Sequence, residues 1–289
     1  MVDKASSTVQ RRELGHRLRE LRQSLGLTLD QVAVELMCSA TKLSRIESGS
    51  RRASLRDVRD LCTVYQVPDD ERDRLMELAR ESRSPGWWED FDLPYRTYIG
   101  LEQSAVAIGE YSANIIPGLL QTLDYSIALA AGMDPKLNRD ALQQRAEAKQ
   151  TRRAILERPG APQLWAIIEE AALSRVVGSY EVMSKQIVAL LEAVRSPHVY
   201  LQVVPLGVGA HPALNSNFII LDLGTHDVPD VVYVEGLLGN IYLERPLDIQ
   251  RYRRVFDQLR AAALSPQLSV ARMEEVKESH DRKATVRET

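Results

Sequence analysis

Thr41, Lys42, Ser44, Arg45 and Ser48 are the residue types that nucleic-acid chemistry needs, at a spacing that can present them together. At about 100° per residue, residues 39–48 turn Leu43 and Ile46 to one face. Thr41, Ser44, Arg45 and Ser48 fall on the opposite face, with Lys42 at the flank. That outward face holds no acid. A helix face that is merely solvated usually mixes charge signs, whereas hydroxyls, a guanidinium and an ammonium are the groups that meet base edges and phosphates. The stretch therefore reads as a DNA-recognition helix.

Such a helix needs others to hold it, and the flanking sequence supplies them. Leu14, Leu18, Leu21 and Leu25 recur at amphipathic-helix spacing, and Gly26 stands where a helix commonly stops. Thr28 through Gln31 has the form of a capping box, in which the Thr28 hydroxyl accepts from the Gln31 amide while the Gln31 side chain reaches back. A short helix with Leu29, Val32, Ala33 and Leu36 inward is expected to follow. Ser39 then caps the recognition segment and Gly49 ends it. Ser54 caps a fourth helix (Leu55, Val58, Leu61, Cys62, Tyr65), and Pro68 opens a fifth (Leu75, Leu78, Ala79). A mainly α, five-helix domain is expected over residues 1–82.

The residues Leu14, Gly15, Arg17, Leu18, Arg19, Leu21, Arg22, Gly26, Leu27, Thr28, Ala33, Ser39, Leu43 to Glu47, Gly49, Arg52 and Ser54 together resemble the lambda-Cro-like (XRE-type) helix-turn-helix across residues 11–81. The resemblance implies a second helix crossing the DNA backbone and a third in the major groove. It places Ala40, Thr41, Ser44 and Arg45 at base edges. It puts Ser39, Lys42, Arg51 and Arg52 near phosphates, with Thr28 and Gln31 at the backbone-facing end of the second helix. It also implies an internal ion pair between Arg22 and Glu47. One residue departs from the pattern: Met37 sits in the turn where the wider family prefers Gly, and a left-handed conformation there costs roughly 1–2 kcal/mol.

At 289 residues the chain is long enough for two domains, and 44% hydrophobic with 27% charged residues describes an ordinary globular composition. No apolar run of about 18 residues occurs and the first residues lack an apolar core, so neither a membrane span nor a signal peptide is indicated and a cytoplasmic location is expected. Cys38 and Cys62 lack the spacing of a disulfide framework or a zinc site. The net charge of −3 argues against DNA binding until it is divided. Residues 1–65 carry 12 Lys and Arg against 8 Asp and Glu, a net of +4; the rest carry 25 against 32, a net of −7. The basic part is the one with the recognition segment.

Residues 83–86 read as a turn-rich linker, 87–273 as a larger α+β domain, and 274–289 as a charged tail that frays. One of the adjacent Trp87 and Trp88 is expected to cover the boundary between the halves. The pattern predicts helices at 100–112, 118–132, 138–157, 179–194 and 247–263. It predicts strands at 163–169, 199–205, 217–223, 230–235 and 240–244, and the short connections among the last three favour an antiparallel sheet.

Gly86-Trp87-Trp88, Tyr98 to Glu102, Ile116 to Thr122, Leu173, Arg175, Val177 and Gly178, Gly209 to Pro212 and Val232 to Gly236 are similar to the C-terminal domain of an actinobacterial regulator group that includes WhiJ-like proteins. Members of that group often stand beside a small partner protein, in arrangements like toxin–antitoxin or developmental regulator pairs.

Catalytic constellations are not evident in the second half. No GxSxG elbow, P-loop, HExxH or CxxC occurs, and Gly207-Val208-Gly209 runs into His211-Pro212 rather than into a helix. His198, His211, His226 and His280 are scattered. Glu169, Glu170 and Glu235 stand at strand ends, where carboxylates could line a cleft but more often form a solvated rim. Trp87, Trp88, Tyr111, Trp165, Tyr233 and Glu235 are the candidate lining of a C-terminal pocket, against the plainer reading of core. No enzyme activity, metal or cofactor is expected. The expected partners are double-stranded DNA with a two-fold symmetric operator, and a second copy of the chain. A small partner protein is the alternative, with Arg145, Lys149, Arg152 and Arg153 along helix 138–157 as a basic contact face.

Overall fold

The computed structural model describes residues 6–91, 93, 95–225, 228–236 and 239–287. The chain divides into two compact units, Met1–Ser104 with Thr225–Pro229, and Ala105–Gly224 with Asp230–Thr289.

The first unit runs α1 (Ser7–Ser24), α2 (Leu29–Glu35), α3 (Ala40–Glu47), α4 (Leu55–Val64) and α5 (Asp69–Glu81). A 3-10 turn (Trp87–Glu89) and α6 (Arg96–Glu102) follow. The first four helices each start on a side chain that satisfies an orphan amide: Ser6 accepts from Val9, Thr28 from Gln31, Ser39 from Lys42 and Ser54 from Asp57. Their apolar stripes meet in one core that includes Leu14, Leu18, Val32, Leu43, Ile46 and Leu61. Trp88 is buried in this unit, and its ring lies so close to Gly86 that a Cβ there would stand 2.3 Å from it. The expected linker 83–86 also lies inside this unit, where Ser84 N–H donates to the Glu81 carbonyl at 3.1 Å.

Met37 adopts φ 49° in the turn between α2 and α3, with its side chain 94% exposed. The side chain therefore gives up packing to nothing, while its Cβ crowds the backbone. Met37→Gly should raise the stability of this unit by about 1 kcal/mol, the left-handed cost less the extra chain entropy glycine loses. A denaturation midpoint at or below that of the parent would refute this.

The second unit begins with β1 (Ala107–Ser112), where a helix was expected over 100–112. Of that region only 100–102, the end of α6, is helical. The strand is buried on alternating and then on both faces, and the apolar stretch from Ala105 ends at Ile108, too short for its period to tell a strand from a helix. There follow α7 (Leu123–Met133), α8 (Arg139–Arg153), β2 (Gln163–Glu169), α9 (Glu170–Ser174), α10 (Tyr180–Ala193) and β3 (Val199–Val204). Then come β4 (Phe218–Asp222), β5 (Val231–Gly236), β6 (Gly239–Leu243), α11 (Pro246–Ala262) and α12 (Pro266–Arg287).

The strands form one six-stranded sheet in the order β3-β2-β1-β4-β5-β6. It is mixed rather than antiparallel as expected. β4, β5 and β6 do pair antiparallel, but β1 with β2 and β2 with β3 are parallel. The reason is connection length: β1 reaches β2 through α7 and α8, and β2 reaches β3 through α9 and α10, and helical crossovers return a strand in the same direction. Tyr111, Ile167, Phe218, Ile220 and Val232 pack on one face under α11, which contributes Phe256 and Leu259. Gly109 lies beneath that helix, and a Cβ on it would meet the Phe256 ring at 3.2 Å.

Residues 274–287, expected to fray, are helical within α12. Met273 and His280 are buried there, and the His280 imidazole pairs with the Leu173 carbonyl at 2.9 Å. The many charges of this segment mask, in the sequence, the few buried positions among them. The start of α12 also closes the sheet, since Val203 N–H donates to Ser269 Oγ at 3.0 Å and Leu264 N–H donates to the Val203 carbonyl at 2.9 Å.

Candidate nucleic-acid interface

α3 buries Leu43 and Ile46 and leaves Thr41, Ser44, Arg45 and Ser48 exposed. Ala40, placed at a base edge by the resemblance, is half-buried against the core of the unit. Among the described residues the guanidiniums of Arg45 and Arg51 make no hydrogen bond or ion pair. The loop after α3 is tied back to it, because the Arg45 carbonyl accepts from Arg51 N–H at 2.9 Å and from Ser50 Oγ at 3.2 Å. Thr28 and Gln31, both exposed at the start of α2, close the full capping box: Thr28 N–H donates to Gln31 Oε1 at 2.8 Å and Gln31 N–H to Thr28 Oγ1 at 3.2 Å.

α3 is joined to α1 in two ways. Gly15 brings the backbones together, for a Cβ at that position would lie 2.5 Å from the Ile46 carbonyl oxygen. Arg22 and Glu47 form a bidentate pair, Nε to Oε1 at 2.7 Å and Nη2 to Oε2 at 2.8 Å, with side chains only 10% and 8% exposed. Arg22 Nη1 also donates to the Leu27 carbonyl at 2.7 Å, so the guanidinium holds the α1–α2 connection as well. The Glu47 hydrogen bonds raise the Arg22 pKa against the opposing effect of burial.

Two of the residues expected at phosphates already have partners. Lys42 Nζ pairs with Asp57 Oδ1 at the start of α4, and Arg52 Nη2 pairs with Glu89 Oε1 in the 3-10 turn. Burial alone would raise the Asp57 carboxyl. The Lys42 ammonium and the Ser54 backbone and hydroxyl donors outweigh it and hold the group below the usual carboxylate range. A depressed carboxyl stabilises the fold above its unfolded pKa of about 4, and that contribution disappears as the pH falls through the lower folded value. The stability of the first unit should therefore decline below about pH 4, and Asp57→Asn should flatten that acid limb in denaturation midpoints measured against pH. An unchanged acid limb would remove Asp57 from the account.

In the second unit the proposed pocket lining does not converge. Tyr111 pairs with Phe218 and Ile167, and Trp165 pairs with Gly109, so Tyr111 and Trp165 share the α11 face. Tyr233 is paired with Ile219, the neighbour of Phe218, and so points with Glu235 to the other face. Trp87 and Trp88 belong to the first unit. Trp165 stacks on Tyr200 with ring centroids 4.8 Å apart and carries the Arg260 guanidinium 3.7 Å from its centroid.

Glu169 and Glu170 are internal struts of this unit, whereas Glu235 is exposed. Tyr111 Oη donates to Glu169 Oε1 at 2.9 Å, and His211 Nε2 lies 2.9 Å from the same oxygen. Burial and that hydrogen bond push the Tyr111 hydroxyl pKa up. Glu170 accepts from Leu206 N–H at 3.2 Å and pairs with Arg272. His198 Nε2 pairs with the Leu156 carbonyl at 2.8 Å. His226 lies outside the described residues. Among the described residues no group of three or more His, Cys, Asp or Glu side chains could hold a metal ion, and no helix is long and apolar enough to cross a membrane.

Residues 13–75 match the family model described as a Helix-turn-helix domain. Residues 95–275, more than half of the chain, match the one described as a Domain of unknown function (DUF5753). The chain belongs to the DUF5753 family. No curated protein and no solved structure matches it. In this DUF5753 member the helix-turn-helix match spans most of α1 through most of α5. The DUF5753 match starts at the foot of α6 and runs into α12.

Two residues beside the interface were missed from the sequence. Arg11 Nε donates to the Gly49 carbonyl at 2.7 Å, at the cap that ends α3. Its signal was available, since Arg11 stands one turn before Gly15 on the α1 face that meets α3. Glu89 left no such signal: it pairs with a residue 37 positions away.

Proposed function

We propose that this DUF5753 protein is a sequence-specific, dimeric transcriptional regulator of the XRE type, acting in the cytoplasm of an actinobacterium. The observation that carries this reading is the outward face of α3, where Thr41, Ser44 and Arg45 stand exposed beside Arg51. Each subunit would offer α3 to one half-site, with the two half-sites about 34 Å apart. Arg45, with Thr41, Ser44 and Ala40, would read bases, most plainly Arg45 on guanine. Arg51, Arg52, Lys42, Ser39, Thr28 and Gln31 would meet phosphates and supply salt-dependent affinity. The second unit would serve dimerisation and the sensing of a ligand or partner, with no catalytic role.

The alternative is an antitoxin-like protein that sequesters a small partner through its second unit and uses DNA only for autoregulation. It rests on the resemblance to regulators that stand beside a small partner protein and on the basic stripe of α8, part of which is engaged within the unit. Lys149 Nζ donates to Gln121 Oε1 at 2.6 Å, Arg152 is buried, and burial together with Arg152 pushes the Lys149 pKa down to about 8.

The deciding experiment recovers genomic DNA with the intact protein at about 150 mM salt, with mass spectrometry of whatever protein co-elutes. Enrichment of a few short two-fold symmetric sites is expected, and Arg45→Ala should lose ~1–3 kcal/mol of discrimination. Broad, salt-labile DNA together with one stoichiometric small protein would overturn the reading in favour of sequestration.

A further inference from the structure

Arg52 and Arg11 stand in one cleft of the first unit. It has a volume of about 280 Å³ and is lined by Thr8, Arg11, Arg52, Trp88, Glu89 and Arg96, with Thr97 at its edge. The cleft adjoins the end of the recognition helix, because Arg11 reaches from it to the Gly49 carbonyl. Charge is crowded there. Burial lowers the Arg11 pKa, the charges of Arg52 and Arg12 lower it further, and Glu89 opposes them without prevailing. A group of guanidiniums in that condition favours an added anion. Among the described residues lining the cleft Glu89 supplies the one anionic side chain, and it is bound to Arg52.

Glu89 is also held in place. Its N–H donates to the Gly86 carbonyl at 2.9 Å, and the ring of Trp88 packs on Gly86 so closely that no side chain fits at 86. The turn therefore presents one carboxylate at the mouth of the cleft. Arg52 and Glu89 are 39% and 27% exposed, and an ion pair of that exposure is worth at most about 1 kcal/mol, so an incoming anion can displace it.

We propose that this cleft is a phosphate-binding site for the DNA backbone, additional to the contacts made by α3, and that Glu89 is its built-in competitor. Arg11 and Arg52 take one phosphodiester as the duplex docks, and the Glu89 carboxylate leaves Arg52 to do so. Both termini of the exchange are ionic, with no covalent step. Glu89 thus lowers affinity for all sequences alike and leaves base discrimination to α3. The inference rests on the DNA-binding reading above.

Its test uses the full-length protein and a fluorescent random-sequence duplex of about 30 base pairs, because the phosphate contribution does not depend on sequence and no operator need be known. Affinity is measured from about 50 to 200 mM salt for the parent, Glu89→Gln and Arg11→Ala. Glu89→Gln should bind roughly threefold to fivefold more tightly at the low-salt end, the fold-change of a displaced exposed pair. Its plot of log affinity against log salt should keep the slope of the parent, because the same phosphate is bound in both. Arg11→Ala should be weaker, and shallower by up to about 0.9, one phosphate contact fewer. In an Arg52→Ala background the Glu89→Gln gain should shrink towards nothing, a coupling that a merely structural role for Glu89 would not produce. Parent binding with Glu89→Gln unchanged or weaker overturns the competitor and leaves the regulator reading intact. No binding by the parent even at low salt overturns both.

Discussion

Glu47→Ala should lower the stability of the helix-turn-helix unit by about 3–5 kcal/mol, the loss that follows when one partner of a buried pair is removed. The loss comes from what is left behind. Arg22 would keep only the Leu27 carbonyl, with two of its three hydrogen-bonded nitrogens stripped of a carboxylate at 2.7 and 2.8 Å in a site nearly closed to water. An isolated guanidinium cannot shed its proton to escape, since it stays charged at every pH at which the protein folds. The pair itself need not be strongly stabilising compared with apolar residues, because removing two charges from water offsets most of their attraction. Glu47→Leu with Arg22→Met should therefore recover most of the loss. Chemical denaturation of the single and double variants checks both statements. A single-variant loss below about 1 kcal/mol would mean that Arg22 finds another partner or reaches water.

The second large effect comes from the smallest residue in α1. Alanine is the better helix former by about 1 kcal/mol, so propensity alone predicts that Gly15→Ala stabilises the protein. The contact with α3 reverses the sign. The new Cβ would stand 2.5 Å from the Ile46 oxygen and 2.7 Å from the Glu47 oxygen, and both obstacles are backbone. No rotamer relieves such a clash; α1 and α3 must part. Overpacking of this kind costs typically 1–3 kcal/mol, and here the upper end applies because the separation also strains the Arg22–Glu47 pair. The same parting moves Arg45 relative to the rest of the interface, so DNA affinity should fall even under conditions where the variant remains folded. Equal stability and equal affinity in Gly15→Ala would show that the approach of the two helices is not what sets the position of α3.

What could be read from the sequence follows the range of the interactions involved. The caps at Thr28, Ser39 and Ser54 lie within three residues of the amides they satisfy, and the two faces of α3 follow from its period, so both were legible. Lys42 with Asp57 and Arg52 with Glu89 are 15 and 37 positions apart, and no local pattern marks them. The strands after Gln163 were legible as strands, but their register was not. Tyr111, on an expected helix, and Tyr233, on an expected strand, were grouped in one pocket as aromatic residues alone. The pairing of Ile219 with Tyr233 and of Phe218 with Tyr111 sends them to opposite faces, and a shift of one residue is all that separates the two outcomes. β1 escaped because a short apolar run fits either period, and with it went the parallel half of the sheet.

The closure of β3 by Leu264 and Ser269 bears on how the chain is made. A ribosome delivers β1, β2 and β3 well before it delivers residue 269, and their parallel pairings span long crossovers that close slowly. For that interval the nascent sheet carries an open edge, a template for pairing with the same strand of a neighbouring chain on the same message. The second unit thus passes through its most aggregation-prone stage late in synthesis. Its yield in a foreign host should depend more on translation rate and chaperone supply than on the stability of the finished protein.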